Sequence, residues 1–255
     1  MNRYEIRKQG LKILNEISNN ENDYYFIHYA VDFHDSNRIA AIAIRHLSFE
    51  GNVINFSIDV ESSRLNLPIT NENLDKIESS MLTEYFNFMK SHIHSKFIHW
   101  NMSSDEYGFK AIENRAKELK ASTEIVSVSE NQCVNLSHCF KKMYGENYVK
   151  DQKFYNLLNL NNIHPHDLLN GKQEAEEIRK QDFKSIALSC DRKVNVFYQL
   201  YFLALNNRLK VQTNWVEIHG LSIQSIYEFV KDKWWFSLLC FFMGAIFSWL
   251  LERFF

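Results

Sequence analysis

The chain has 255 residues, of which 45% are hydrophobic and 15% aromatic, and its formal net charge is −2. That length holds one large or two small domains with a real core, and the near-neutral balance excludes a surface built throughout to coat nucleic acid or acidic lipid. Only 7 glycines and 2 prolines exclude collagen-like, linker and low-complexity classes, and no internal repeat is present.

Residues 1–23 carry charges throughout and lack an apolar core, so they do not read as a signal peptide; a first helix is expected over residues 4–17. Residues 24–33 (YYFIHYAVDF) are aromatic and β-branched and read as a strand. A polar turn, His34-Asp35-Ser36-Asn37, leads to residues 38–49, a buried strand. Glu50-Gly51-Asn52 is a hairpin-type turn into a third strand, residues 52–60. Pro68 and Thr70 open a helix whose Leu74, Ile77, Met81, Tyr85 and Phe88 recur at three and four residues and form one apolar face. Residues 96–102 (KFIHWNM) read as a fourth strand. Ser103 with Glu106 fits a capping box, so the next helix is expected to start there and to bury Phe109, Ile112, Ala116 and Leu119. A short strand follows near Val126 or Val134. From Leu136 onward the pattern is helical, including residues 164–171 (HPHDLLNG) and a juxtamembrane helix over residues 222–233.

The run over residues 234–251, WWFSLLCFFMGAIFSWLL, is eighteen residues without a charge. A helix needs ~20 apolar residues to cross a ~30 Å hydrocarbon layer, so this run is expected to be a transmembrane helix. Lys231 and Lys233 before it, against Arg253 after it, place the body on the cytoplasmic side of a bacterial inner membrane. Cys133, Cys139, Cys190 and Cys240 lack metal spacing and scaffold density, which fits free thiols in a reducing compartment. Within the run, Ser237, Cys240, Gly244 and Ser248 step by three, four and four. Such a stripe of small residues lets helices approach closely in lipid and predicts self-association.

The expected order is strand, strand, strand, helix, strand, helix, strand. Over residues 24–135 it resembles the RNase H-like fold, so the expected class is α/β: an RNase H-like mixed sheet over residues 1–135, a helical extension over 136–230 and the terminal span. Enzymes of that fold hold two divalent metals with carboxylates on the first strand, the first long helix and the end of the fourth strand. The resemblance maps these roles to Asp32, to Glu78 or Glu84, and to Asp105, with Asp191 as a late helical acid and Mg2+ or Mn2+ as the ions. The exonuclease branch has Asp-x-Glu on its first strand, where this chain has Asp32-Phe33-His34. Its His-Asn block and following Asp are similar to His99-Trp100-Asn101 and Asp105, with different spacing. Hard cations want several oxygen ligands, so a missing acid weakens the site.

The block His99-Trp100-Asn101-Met102, then Tyr107-Gly108-Phe109, then Glu113-x-Arg115, is also similar to one found in a family of uncharacterised bacterial proteins. That resemblance implies a binding surface around His99, Asn101 and Tyr107. His92, His94, His164 and His166 lack accompanying Cys pairs or Glu-x-x-His, so no resident metal or other cofactor is expected. Phosphate-loop, dinucleotide-binding, nucleophile-elbow and kinase signatures are absent, and basic residues form no stripe that would signal a nucleic-acid groove.

Three function classes follow. In the first, the cytoplasmic body senses a signal or a partner from a neighbouring gene, and the self-associating terminal helix perturbs the membrane. Toxin-like effectors of phage defence share that layout. The second is a membrane-tethered two-metal nuclease using Asp32 and Asp105. The third is a membrane-bound binding module.

Overall fold

A computed structural model describes residues 2–32, 37–48, 51–231 and 233–254. His34, Asp35, Ser36, Phe33 and Glu50, named above in two turns and a motif, lie outside the described residues, as do Asp232 and Phe255.

Helix α1 (Arg3–Asn19) starts where the Asn2 side chain accepts the Glu5 N–H. Strands β1 (Tyr24–Val31), β2 (Ile39–His46) and β3 (Val53–Ser57) follow. The third strand is shorter than expected: Ser57 accepts the Val60 N–H and caps a helix, α2 (Ile58–Leu65). A Ser beside Asp59 and Glu61 favours a helix start, and that local signal overrides the apolar alternation. Helix α3 (Asn71–Ser91) buries Leu74, Ile77, Met81 and Tyr85, as its periodicity predicts.

Strand β4 (Lys96–His99) ends three residues early. Helix α4 (Phe109–Glu118) has its N-cap at Gly108, not Ser103. Ser103 instead bridges to Gly108 across a loop, in which Ser104 Oγ accepts the Tyr107 N–H at 2.9 Å. Asp105 and Glu106 are therefore loop residues and cap nothing. Strand β5 (Cys133–Asn135) runs directly into α5 (Leu136–Tyr144). Helices α6 (Lys153–Leu160), α7 (Gly171–Arg179), α8 (Phe183–Leu205), α9 (Trp215–His219), α10 (Ile223–Val230) and α11 (Trp234–Phe254) complete the chain. Residues 164–171, expected to be helical, form turns ahead of α7. Pro165 removes a backbone donor there, and Asn170 caps the following helix through a capping box with Gln173.

Among the described residues, five strands form one mixed sheet in the order β3-β2-β1-β4-β5. β1 pairs antiparallel with β2, and β2 with β3, while β1–β4 and β4–β5 are parallel. Alternate residues of β1 face opposite layers. Tyr25 meets Phe88 of α3 and His92, which caps that helix's C-terminus, edge-on, while Phe26 meets Tyr198 and Tyr201 of α8. α8 packs across β1, β2 and β3, so part of the expected helical extension is one layer of the sheet's own core.

The expected transmembrane span is corrected. α11 forms where the apolar run predicted a helix, but among the described residues no helix is long and apolar enough to cross a membrane. The tryptophans give a physical reason. Indoles settle at a membrane interface, and only 13 residues (236–248) separate Trp235 from Trp249. At ~1.5 Å per residue that band covers ~20 Å of a ~30 Å layer. The fold is thus an α/β body with an exposed apolar terminal helix: Trp234 is 79% exposed and Phe241 71%.

Candidate functional site

The block at the end of β4 is held together by its own side chains. The chain leaves β4 because Asn101 takes a left-handed conformation (φ 57°), and His99 Nδ1 accepts the Met102 N–H at 3.0 Å. Burial lowers the His99 pKa to about 4, so the ring is a neutral acceptor. The Tyr107 ring stacks on Tyr29 at 4.8 Å, and its hydroxyl donates to the Tyr29 carbonyl at 3.2 Å. The Gly108 N–H donates to the Tyr29 hydroxyl at 3.0 Å. Phe109 packs edge-on against His99, and Ser127 Oγ donates to the buried Glu113 at 2.9 Å.

Gly108 is required by close approach. A Cβ there would lie 2.7 Å from the Ser104 carbonyl oxygen and 3.1 Å from that of Met102. Gly108→Ala must shift this loop, and overpacking of this kind costs about 1–3 kcal/mol. Urea unfolding of the variant is expected to show that loss; an unchanged midpoint would mean the loop yields freely.

Of the three residues expected to form a binding surface, the block ties up His99 and Tyr107, and Asn101 lines an open cavity of about 1400 Å³. Trp100, Phe154 and Tyr155 supply aromatic faces to that cavity, and Lys153, Lys172 and Arg179 supply positive charge.

Two of the expected acids sit near the same end of the sheet. Asp32 is buried just past β1, and its N–H donates to the Arg38 carbonyl at 2.9 Å. Asp105 is exposed on the loop after β4 and lines a cavity of about 510 Å³ with Val31, Asn37 and Arg115. The helical acids are engaged elsewhere. Glu78 is fully buried and accepts from Arg38 at 2.9 Å, the Ile39 N–H at 2.8 Å and Arg115 at 2.7 and 2.9 Å. Burial pushes its carboxyl pKa up, against the pull of both guanidiniums and the backbone donor. Glu84 lies 3.6 Å from Arg64, and Asp191 accepts from Asn55 at 2.6 Å.

A second constellation has no counterpart in the sequence reading. His28 on β1, Glu174 on α7 and Cys190 on α8 place one ligand atom each within 4.8 Å of one another. Lys193 Nζ donates to Glu174 Oε1 at 2.5 Å, and Ser189 Oγ donates to the same oxygen at 3.2 Å. Burial and the Lys193 charge press the His28 pKa down, and burial pushes the Cys190 thiol up. These residues lie 146 and 16 positions apart in the chain (28, 174 and 190), so no spacing rule could have joined them.

Ser237, Cys240, Gly244 and Ser248 lie on α11, all exposed, and a Cβ added at Gly244 would meet nothing within 4 Å. In comparisons with known proteins the chain matches no family model, no curated protein and no solved structure.

Proposed function

We propose that this chain is a self-associating bacterial effector that acts on the inner membrane from the cytoplasmic side. Its α/β body receives a signal or a protein partner, and α11 disturbs the lipid layer, in the manner of toxin-like effectors of phage defence. The observation that carries the reading is the exposure of α11. Leu238, Phe242, Met243, Ile246 and Trp249 are each about half exposed or more, which is costly in water at roughly 25 cal/mol per Å² of apolar surface. Copies of the same helix, apposed through Ser237, Cys240, Gly244 and Ser248, and the apolar layer of a bilayer are covers of matching chemistry. The cavity beside Asn101 is where the body would take its signal.

Expression in a bacterial host, with membrane potential followed by a dye, tests this. The full chain is expected to depolarise the cells, a chain lacking residues 234–255 is not, and Gly244→Leu is expected to weaken the effect. A potential unchanged by the full chain would remove the reading.

A second reading, a metal-dependent nuclease of the RNase H-like class with Mg2+ or Mn2+, is supported by the β3-β2-β1-β4-β5 order. The placement of Asp32 and Asp105 towards one end of the sheet supports it as well. Against it stands Glu78, whose carboxylate already holds two guanidiniums. Asp32→Asn with Asp105→Asn separates the two readings: the double variant leaves depolarisation in place if the first reading holds and ends nuclease activity if the second does.

A further inference from the structure

Among the described residues, His28 carries a buried ring nitrogen without a hydrogen-bond partner. The residue is 8% exposed, and its Nε2 is buried with no hydrogen-bond partner among the described residues. A buried ring nitrogen without a partner is destabilising, because it has lost its hydrogen bond to water and gained none. Its other nitrogen, Nδ1, lies 3.4 Å from the Tyr107 hydroxyl. That hydroxyl already donates to the Tyr29 carbonyl, so towards His28 it can only accept. Nδ1 therefore carries the proton, and Nε2 holds a bare lone pair directed into the interior. This is the tautomer of a metal-ligating histidine, whose other ring N–H is held by a neighbouring acceptor.

The side chains around the ring supply two further donors. A thiol (Cys190) and a carboxylate (Glu174) each place a ligand atom within 4.8 Å of a His28 ring nitrogen and of each other. Imidazole, thiolate and carboxylate are the three donor types that bind Zn2+, with bonds of about 2.0–2.3 Å. A tetrahedral set with such bonds has donors under ~4 Å apart, so the present spacing must contract by up to about 1 Å. Glu174, half-buried and with three rotatable bonds, can supply most of that movement. The site already binds a cation in its present form, because the Lys193 ammonium sits on Glu174.

We propose that His28, Glu174 and Cys190 form a site for a thiophilic divalent cation of the Zn2+ class. Lys193 is the internal cation that holds Glu174 while the site is vacant, and the Tyr107 hydroxyl fixes the His28 tautomer. Binding converts the Cys190 thiol to a metal-bound thiolate, and the thiol proton leaves to solvent. The metal charge is then balanced by one thiolate and one carboxylate. Because β1, α7 and α8 each give one ligand, the ion would tie the sheet to both helices. This inference is independent of the effector reading.

The test uses the full chain, stripped with a chelator and reloaded with Zn2+ or Co2+. About one equivalent of Zn2+ is expected to survive desalting, and Co2+ is expected to give a thiolate-to-metal charge-transfer band. Cys190→Ser is expected to remove the band, and Tyr107→Phe to weaken Zn2+ binding by ~10- to 100-fold, the range typical for groups that orient a ligand. Lys193→Met tightens binding by removing the competing ammonium, and it remains informative if Cys190→Ser does not fold. No retained zinc in the parent chain and in Lys193→Met overturns the proposal. So does a charge-transfer band that persists in Cys190→Ser, since another cysteine would then be the ligand.

Discussion

Arg115→Met is expected to lower the unfolding free energy by about 3–5 kcal/mol, the range for removing one partner of a buried ion pair. Arg115 makes two hydrogen bonds to Glu78, through Nε at 2.9 Å and an amino group at 2.7 Å, and its side chain is 7% exposed. Glu78 has no exposure at all, so water cannot replace the lost donors. The remaining guanidinium, Arg38, is shared with Asp75 at 2.9 Å and cannot carry the carboxylate alone. Glu78→Leu is expected to be similarly damaging, since it leaves two guanidiniums facing an apolar group. The double variant should cost clearly less than the sum of the two single changes, because each removes a charge that the other leaves stranded. Urea unfolding of the four chains measures this. A loss under 1 kcal/mol in Arg115→Met would show that the pair is hydrated in solution, contrary to its burial.

The same network bears on function. It joins α3, α4 and the entry to β2, and Arg115 forms part of the wall of the cavity that Asp105 lines. A guanidinium in that wall opposes two divalent ions and favours an anion. Glu78, one of the two helical acids that the RNase H-like resemblance offers for metal, is thus the centre of a structural ion cluster, and sequence alone could not distinguish the two roles. Both roles call for a carboxylate on the inner face of the helix. Arg38 and Arg115 lie 40 and 37 residues from it, beyond any local pattern.

Legibility elsewhere followed the range of the forces involved. The periodicity of α3 and the aromatic β-branched runs of β1 and β2 reflect burial of one face or of both, and both were readable. Ser103 and Glu106 satisfy the local capping pattern, whereas Tyr29, distant in sequence, takes the Gly108 N–H and sets the start of α4. Over α2, Ile58 and Val60 continue an alternation that predicts strand, and the Ser57 cap interrupts it. The terminal helix was readable as a helix from its apolar run. Its tryptophans leave it short of a membrane span, which run length does not report. The His28–Glu174–Cys190 cluster was invisible for the same reason as the Arg115 contact: tertiary packing alone brings those atoms together.

The second large effect is a pH dependence of stability carried by His99. Burial holds its pKa at about 4 in the folded protein, against ~6.5 in an unfolded chain. Between those values the unfolded state binds more protons, so stability rises with pH across the window. It is fully present above ~6.5 and is lost as pH falls towards 4. A difference of ~2.5 pKa units corresponds to about 3 kcal/mol at ~1.4 kcal/mol per unit. His99→Asn isolates this contribution, because a neutral amide oxygen can still accept the Met102 N–H while the titrating ring is gone. Unfolding free energies measured from pH 7.5 to 4.5 are expected to fall about 3 kcal/mol less steeply in His99→Asn than in the parent. His28, also lowered by burial, keeps its contribution in both chains, as do the carboxylates, so the difference between the two profiles reports His99. Superimposable profiles would mean that the ring protonates in place, and the turn after β4 would then be open to water.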